Sequence, residues 1–395
     1  MSNLSQTISG IRYKNPFVVS SSPLTDSVDC IKAAEDNGAG AVSTKLTMLE
    51  QPVKGVRKMY AVRGLYSFNP SDKRNDFEDG LELVRKAGEA VDIPLWANMA
   101  GPGDNYEGWV KLGKALEQAG ADVLELNFTC PNFAAPDPNK PGVKLGAAVG
   151  KEPDLVSGIV SSVKAAVGIP VYPKLTCDGF DWVPVAIACE KAGADGVTVN
   201  GGSSAAPPVD IYRGGKPKMA TMTMHAFGGF VGPAQRQIGM MRVAMAAQNT
   251  KLTIAGGGGI SAWEDAAESI MYGSTFVTMC TKLLWEGFTW LRKMNEGLLN
   301  FMEENGYETL ADMRGLALQY LTTNNNLQYF NVPAMIASDR CAGCGICAHI
   351  PSCTANLRVE NKKAVLNPDK CISCGYCAAL CPNGSISFER NNNDG

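Results

Sequence analysis

Eight cysteines near the C-terminus have the spacing of metal ligands. They form two runs: Cys341, Cys344, Cys347 and Cys353, then Cys371, Cys374, Cys377 and Cys381. Three thiolates two residues apart can wrap one face of an iron–sulfur cube on a tight loop, and small residues such as Gly343 and Gly375 permit that turn. A pair of zinc sites is the alternative, but zinc usually takes its ligands as two C-x2-C pairs, which these triplets fit poorly.

The second run, followed directly by Pro382, has the pattern of bacterial two-cluster ferredoxins. In that pattern the fourth cysteine of each run binds the other cluster. We therefore expect one 4Fe–4S cluster on Cys341, Cys344, Cys347 and Cys381, and a second on Cys371, Cys374, Cys377 and Cys353. The first run departs from the pattern because five residues, rather than three, separate Cys347 from Cys353. The spacing predicts a ferredoxin-like domain that transfers single electrons.

Length and composition indicate a globular chain with two domains. The 395 residues are 45% hydrophobic, enough for one large core and one small domain. We expect boundaries of 1–332 and 333–395, since only five of the 13 cysteines lie before the clustered ones. A net charge of -3 without a basic stripe argues against nucleic acid. The lack of a long apolar run or export signal predicts a cytoplasmic protein that does not enter membranes and does not rely on disulfides.

Short β-prone runs, each followed by a helical pattern, recur through the first 300 or so residues. They cover residues 17–21, 41–44, 94–98, 123–127, 171–174, 196–200, 252–255 and 276–279. The clearest helical stretches are 28–37, 106–118, 153–167, 183–192 and 262–272. This alternation predicts an α/β fold, a (β/α)8 TIM barrel. A doubly wound sheet is the alternative, but no G-x-G-x-x-G follows the first strand.

Polar residues end most of these predicted strands, where a barrel places its chemistry. They are Ser20, Ser21, Lys45, Asn98, Asn127, Lys174 and Asn200. Two lysines at one mouth would repel each other unless an anionic or electron-rich ligand lay between them. The pattern therefore favours a planar ligand that is rich in acceptors.

Glycine-rich segments in the last two units suggest a phosphate site. Gly256 to Gly259 run into Ser261 and Glu264, which we interpret as a capping box at a helix start. Helix N-termini and the loops after strands seven and eight of barrels commonly bind phosphate. One phosphate beside a lysine- and amide-rich mouth describes FMN. The alternative is that these glycines bind no phosphate and only allow the chain to turn tightly.

The stretch Glu125-Leu126-Asn127-Phe128-Thr129-Cys130-Pro131 resembles the N-x-S-C-P active-site loop of the dihydroorotate and dihydropyrimidine dehydrogenase family. Ser43-Thr44-Lys45, Tyr172-Pro173-Lys174 and Gly257-Gly258-Gly259-Ile260 resemble its two lysine strands and its phosphate loop. The likeness covers nearly the whole chain, because some dihydropyrimidine enzymes also join such a barrel to a two-cluster tail.

The resemblance implies a reaction and assigns residues to it. FMN would be held by Ser20, Ser21, Lys45, Lys174, Gly232, Gly257, Gly258, Gly259, Cys280 and Thr281. Asn98, at the end of a predicted strand, would join them. The substrate would contact Asn69, Asn127, Thr129 and Asn200. Hydride from flavin N5 and a proton from Cys130 would reduce the 5,6 double bond of uracil or thymine. Neither histidine ends a predicted strand, so no Ser-His or His-metal mechanism is favoured.

Some residues depart from the family pattern. Gly201 replaces an expected threonine, and the loops 131–150 and 203–227 are unlike the usual sequences. Another electron-poor ring, an enone or dihydroorotate therefore stays open as substrate. An electron-transfer subunit without its own substrate is a further alternative. Because no dinucleotide fingerprint occurs, we expect a separate FAD subunit that oxidises NAD(P)H. The family resemblance implies a homo- or hetero-oligomer.

Overall fold

The computed structural model describes residues 2–51, 54–130, 142–176, 178, 181–199, 202–224, 226–329 and 331–388. The chain forms two compact units, Met1–Tyr320 and Leu321–Gly395. The domain boundary expected at residues 332 and 333 lies later in the chain and stays a prediction.

The first unit alternates strands and helices. Its strands are β1 (Gln6–Ile8), β2 (Ile11–Tyr13), β3 (Phe17–Val19), β4 (Ala41–Ser43), β5 (Thr47–Met48), β6 (Lys58–Val62), β7 (Tyr66–Ser71), β8 (Leu95–Ala100), β9 (Val123–Phe128), β10 (Val171–Leu175), β11 (Gly196–Val199), β12 (Ser203–Ala205), β13 (Val209–Asp210), β14 (Lys216–Pro217), β15 (Gly228–Val231), β16 (Thr253–Gly257) and β17 (Phe276–Met279). Its helices are α1 (Val28–Asp36), α2 (Phe77–Ala90), α3 (Tyr106–Gln118), α4 (Pro153–Lys164), α5 (Trp182–Lys191), α6 (Arg236–Asn249), α7 (Trp263–Met271), α8 (Thr281–Glu286), α9 (Trp290–Asn305) and α10 (Leu310–Met313).

Eight parallel strands close into a barrel. Their order is β4, β3, β17, β16, β11, β10, β9 and β8, and β8 pairs back onto β4. Each predicted strand matches one of these eight, so the predicted TIM barrel is confirmed and the open doubly wound sheet is excluded. The five helical stretches predicted from the sequence correspond to α1, α3, α4, α5 and α7.

Three helices end at glycines in the left-handed region. Gly38, Gly120 and Gly193 have φ angles of 94°, 102° and 88° and follow α1, α3 and α5. A residue with a side chain is strained there, so glycine lets the chain leave the helix and enter the next strand. These turns repeat at the N-terminal end of the barrel.

An aromatic layer fills the N-terminal end of the barrel. Trp96 lies 5.1 Å from Tyr172 and 5.1 Å from Phe276 between ring centroids, and Tyr13 lies 4.5 Å from Phe276. All four are at most 1% exposed. Tyr13 comes from the antiparallel hairpin β1–β2, and burial raises the pKa of Tyr172 to about 12. This end is packed and apolar, so the chemistry is left to the opposite end.

Two long loops form an antiparallel sheet of four strands in the order β12, β15, β7 and β6. Strands β6 and β7 lie between β5 and α2, whereas β12 and β15 lie between β11 and α6. The pairing places Asn69 opposite Gly229. The part of loop 203–227 nearest to β11 therefore belongs to a sheet that the sequence did not predict.

The second unit is small. It contains β18 (Met335–Ile336), β19 (Arg358–Glu360), β20 (Lys363–Val365), α11 (Tyr376–Leu380) and β21 (Ile386–Ser387). The pairs β18–β21 and β19–β20 are antiparallel. Its buried core includes Cys341, Cys347 and Cys377. The predicted ferredoxin-like domain is confirmed. In the described parts of both units, no helix combines the length and apolarity needed to cross a membrane.

Truncation of the aromatic layer tests this packing. We expect Trp96→Ala to lower the free energy of unfolding by about 3–5 kcal/mol, because it leaves a cavity among rigid rings. Tyr212→Ala is the control, since Tyr212 is 94% exposed and its loss should cost less than about 0.5 kcal/mol. The measurement is denaturant unfolding of the full chain; equal stabilities of the two variants would contradict the described layer.

Candidate active site

A cavity of about 1200 Å³, its open mouth included, lies at the C-terminal ends of the barrel strands. Its wall contains twelve residues singled out from the sequence: Ser20, Ser21, Asn69, Asn127, Thr129, Cys130, Lys174, Gly232, Gly258, Gly259, Cys280 and Thr281. The tertiary fold thus brings residues from seven separate stretches of sequence to one site. The volume suits a cofactor and a small substrate together.

The remaining site residues lie elsewhere. Lys45 and Asn98 are buried behind the wall, at 4% and 0% exposure. Gly257 is in β16, where an added Cβ would lie 1.9 Å from Thr278 Oγ1. Three of the predicted features lie outside the described residues: Asn200, the departure at Gly201, and residues 131–141 of the loop 131–150.

A buried carboxylate lies behind the wall. Glu125 is 1% exposed and points inward from β9. Its Oε2 accepts hydrogen bonds from Ser43 Oγ at 2.7 Å and Asn98 Nδ2 at 2.5 Å, and its Oε1 accepts one from Thr198 Oγ1 at 2.8 Å. Lys174 Nζ lies 3.7 Å from Oε2. A buried charge is tolerated when it is paired and hydrogen-bonded in this way.

This carboxylate sets the direction of a hydrogen-bond chain. Because Glu125 can only accept, Asn98 must turn its Nδ2 toward it and keep Oδ1 for Asn127. Asn127 Nδ2 donates to that oxygen at 3.0 Å, and Asn127 Oδ1 accepts from the backbone and hydroxyl of Thr129, both at 3.0 Å. In the cavity, the hydroxyl oxygen of Thr129 is therefore free to accept a hydrogen bond. The second N–H of Asn127 is free to donate one.

Each lysine of the site has its own carboxylate. Lys45 forms an ion pair with Asp72, and Lys174 pairs with Glu125. The sequence argument that two lysines require an anionic ligand between them is therefore wrong, because the protein itself supplies the compensating charges. Cys280 lies close to both lysines, and burial raises the pKa of its thiol.

Cys130 has a basic neighbour that the sequence did not reveal. Arg74 Nη2 lies 3.7 Å from Cys130 Sγ, and Arg74 is only 7% exposed. The same short loop after β7 contains Asp72, the partner of Lys45. One loop therefore contacts both the candidate acid and a candidate cofactor lysine.

The glycine-rich end of the cavity differs in one respect from expectation. Helix α7 begins one residue later than predicted, after an N-cap at Ala262. Asp265, not Glu264, accepts from the backbone N–H groups of Ser261 and Ala262, at 2.8 and 3.0 Å, and it pairs with Arg236. The predicted capping box is thus wrong. Because Asp265 already accepts from these N–H groups, they are not available to a phosphate. The remaining candidates for phosphate binding are the glycine turn at Gly258 and Gly259 and the start of α8.

The residues of this cavity fit a flavin. Among the described residues, Ser20 Oγ and Thr278 Oγ1 are buried without a hydrogen-bond partner, and both residues line the wall. Buried hydroxyls without partners are rare unless a ligand satisfies them. Gly258 and Gly259 have φ angles of 90° and 82°, which allow a close backbone approach to a phosphate.

The second unit groups its cysteines around two cavities. Cys341, Cys344, Cys347 and Cys381 line the first cysteine cavity, of about 330 Å³; Cys353, Cys371, Cys374 and Cys377 line the second cysteine cavity, of about 370 Å³. These are the sets that the spacing predicts. Within the described part of the chain, no three His, Cys, Asp or Glu side chains are close enough to share one metal ion. Each set surrounds a volume, as ligands of a cluster would; the number of clusters stays a prediction.

Sequence reasoning missed Glu125, Asp72 and Arg74. Glu125 was detectable, because it lies two residues before Asn127 on a strand and so faces the same side. Asp72 and Arg74 lie in an irregular charged loop whose position only the fold determines.

Substitution of Glu125 tests the buried network. We expect Glu125→Leu to lower the free energy of unfolding of the barrel by about 3–5 kcal/mol, because it leaves Lys174 and three donors without their acceptor. Glu125→Gln is the matched comparison and should cost less, since its oxygen can serve Ser43 and Asn98 while Thr198 turns to accept, so that only the charge paired with Lys174 is lost. Denaturant unfolding measures both; equal losses would show that lost acceptors are not the cause.

Comparison with known proteins agrees with this geometry. The family model described as dihydroorotate dehydrogenase matches residues 3–302, and the model described as 4Fe-4S binding domain matches residues 364–387. Membership of the first implies FMN, and the second indicates 4Fe–4S binding.

Relatives of two kinds match the chain. The catalytic subunit of dihydroorotate dehydrogenase B (NAD(+)) from Thermoplasma acidophilum is 30% identical over 325 residues, 81% of this chain and 100% of the relative. The NAD-dependent dihydropyrimidine dehydrogenase subunit PreA of Escherichia coli is 28% identical over 357 residues, 87% of this chain and 84% of the relative. The chloroplastic dihydropyrimidine dehydrogenase (NADP(+)) of Arabidopsis thaliana is 29% identical over 345 residues, 82% of this chain and 79% of the relative. With its barrel, its cavity and these matches, the chain belongs to the dihydroorotate dehydrogenase family.

Proposed function

We propose that this chain reduces the carbon–carbon double bond of a pyrimidine-like ring, such as uracil or thymine, with Cys130 as the general acid. The observation behind the proposal is that Cys130, Asn127, Thr129 and Lys174 line one cavity with the glycine turn. FMN, when bound there, supplies a hydride. A proton must then reach the neighbouring carbon, which requires an acid on the substrate's other face.

The chain's own residues suit this task. Asn127 and Thr129 offer one donor and one acceptor, a pattern that complements a ring carbonyl beside a ring N–H. Asn69, held in the sheet over the mouth, adds a further amide. Arg74 lies beside the sulfur of Cys130, where a positive charge stabilises the thiolate that remains after proton transfer.

The extent of the alignments favours pyrimidine reduction over dihydroorotate oxidation. The dihydroorotate relative is matched over its full length by 325 residues, about the size of the barrel unit, which ends at Tyr320. The dihydropyrimidine subunit is matched over 87% of this chain, so this alignment extends past the barrel unit into the second unit. An alignment that extends beyond the barrel therefore supports likeness to the second relative.

Dihydroorotate oxidation is the second candidate, because the catalytic subunit of dihydroorotate dehydrogenase B from Thermoplasma acidophilum is 30% identical to this chain. A carrier without its own substrate is less favoured, since electron transfer alone needs neither Cys130 nor the paired amides.

We also propose two 4Fe–4S clusters, one in each cysteine cavity, and an electron donor on another chain. The relatives from Thermoplasma acidophilum and Escherichia coli are both subunits by name. A partner that contains FAD and oxidises NAD(P)H would feed the clusters, and the expected cytoplasmic location remains part of this proposal.

A substrate panel tests the reaction. Reduced, anaerobically reconstituted protein should be reoxidised by uracil or thymine, seen as return of the flavin absorbance, and not by simple cyclic enones. Cys130→Ala should lower turnover by about a hundredfold or more with unchanged flavin content, because it removes only the proton donor.

Cys30→Ala is the matched control, since Cys30 lies on α1 outside the cavity, and it should behave as wild type. Reduction of the flavin by dihydroorotate, with no response to uracil, would favour the second candidate. Full turnover of Cys130→Ala would refute the assigned acid.

The isolated chain tests the need for a partner. We expect no steady-state oxidation of NADH or NADPH by the FMN- and cluster-loaded protein, because it has no dinucleotide fingerprint. Reduction of its flavin by dithionite is the control for competence. The measurement is anaerobic nicotinamide absorbance, and sustained NADH oxidation would argue against a separate donor subunit.

A further inference from the structure

The two cysteine cavities of the second unit differ in their polar surroundings. In the first cysteine cavity, Cys381 Sγ lies 3.0 Å from Ser385 Oγ and accepts the Ser385 backbone N–H at 3.3 Å. Cys341 Sγ accepts the backbone N–H of Ala364 at 3.4 Å. A metal-bound thiolate has no proton, so the hydroxyl of Ser385 must be the donor. Ser385 is 3% exposed, which shields this hydrogen bond from water.

A positive charge lies near the same cavity. Lys363 Nζ donates to the carbonyl oxygens of Ser338 at 2.6 Å and Cys341 at 2.8 Å. These two bonds hold the ammonium group against the backbone of a cysteine that lines the cavity. It is therefore fixed close to any cluster that this cysteine binds.

The second cysteine cavity has a more apolar wall. Besides its cysteines and Thr354, it is lined by Ala334, Ile350, Ala355, Leu357, Leu366, Ile372 and Phe388. Reduction of a cluster adds one electron, and so one negative charge, and breaks no bond. Hydrogen bonds to sulfur and a nearby ammonium stabilise that added charge, whereas an apolar wall does not.

We propose that the first cysteine cavity holds the cluster of higher reduction potential, and that Ser385 tunes this potential through Cys381. The inference rests on the proposed two clusters, but it is independent of the substrate. At equilibrium, an electron that enters the unit would reduce the cluster bound by Cys341, Cys344, Cys347 and Cys381.

Redox titration followed by electron paramagnetic resonance tests this, with dithionite as electron source and the full, anaerobically reconstituted chain. We expect two midpoint potentials. Ser385→Ala should lower only the higher one, by about tenfold in the reduction equilibrium, or about 59 mV for one electron.

Ser373→Ala is the matched control, because Ser373 lies between two cysteines of the second cavity but its hydroxyl donates to the carbonyl of Val332 at 2.6 Å. It should move neither potential. Ser385→Thr keeps the hydroxyl and should retain the wild-type potentials. If Ser385→Ala does not assemble, Lys363→Met should lower the same potential.

The outcomes separate this inference from the proposals on which it rests. Iron content near eight atoms per chain, with potentials unchanged in Ser385→Ala and Lys363→Met, would overturn it alone. A shift of only the lower potential would also overturn it. Iron content near four would overturn the two-cluster proposal as well, whereas the substrate panel bears on neither.

Discussion

The polar interior of the barrel depends on one buried carboxylate, Glu125. It receives hydrogen bonds from β4, β8 and β11 and an ion pair from β10, while it belongs to β9 itself. A barrel normally fills its interior with apolar side chains. Here a polar layer is tolerated above the aromatic one because the carboxylate is fully satisfied, and it holds five strands in register at the level where the site begins.

This constraint extends into the cavity. The carboxylate of Glu125 can only accept hydrogen bonds and so orients Asn98. Asn98 then orients Asn127, and Asn127 accepts from the hydroxyl of Thr129. The direction of these bonds is set in the core, away from any ligand, so the wall is preorganised before a substrate arrives. The charges are preorganised as well, since both lysines are paired with carboxylates.

The second unit relies on a different interaction. Its core contains Cys341, Cys347 and Cys377 beside a few apolar side chains, so much of what fills its interior also serves as candidate ligand. In a domain this small, metal binding and folding are coupled, because binding energy replaces the missing hydrophobic core. The barrel has a large apolar core of its own, whereas candidate cluster ligands make up much of the core of this unit.

The sequence by itself determined the features that are local in the chain. Alternating strand and helix periods predicted all eight barrel strands, and cysteine spacing predicted the iron–sulfur module, because these patterns involve residues a few positions apart. Only the tertiary structure decided the electrostatics of the site. Ser43 and Glu125 are 82 residues apart, Thr198 and Glu125 73, and Arg74 and Cys130 56. No local pattern encodes such contacts; they arise because barrel closure brings alternate side chains of distant strands to one interior, and its loops to one mouth.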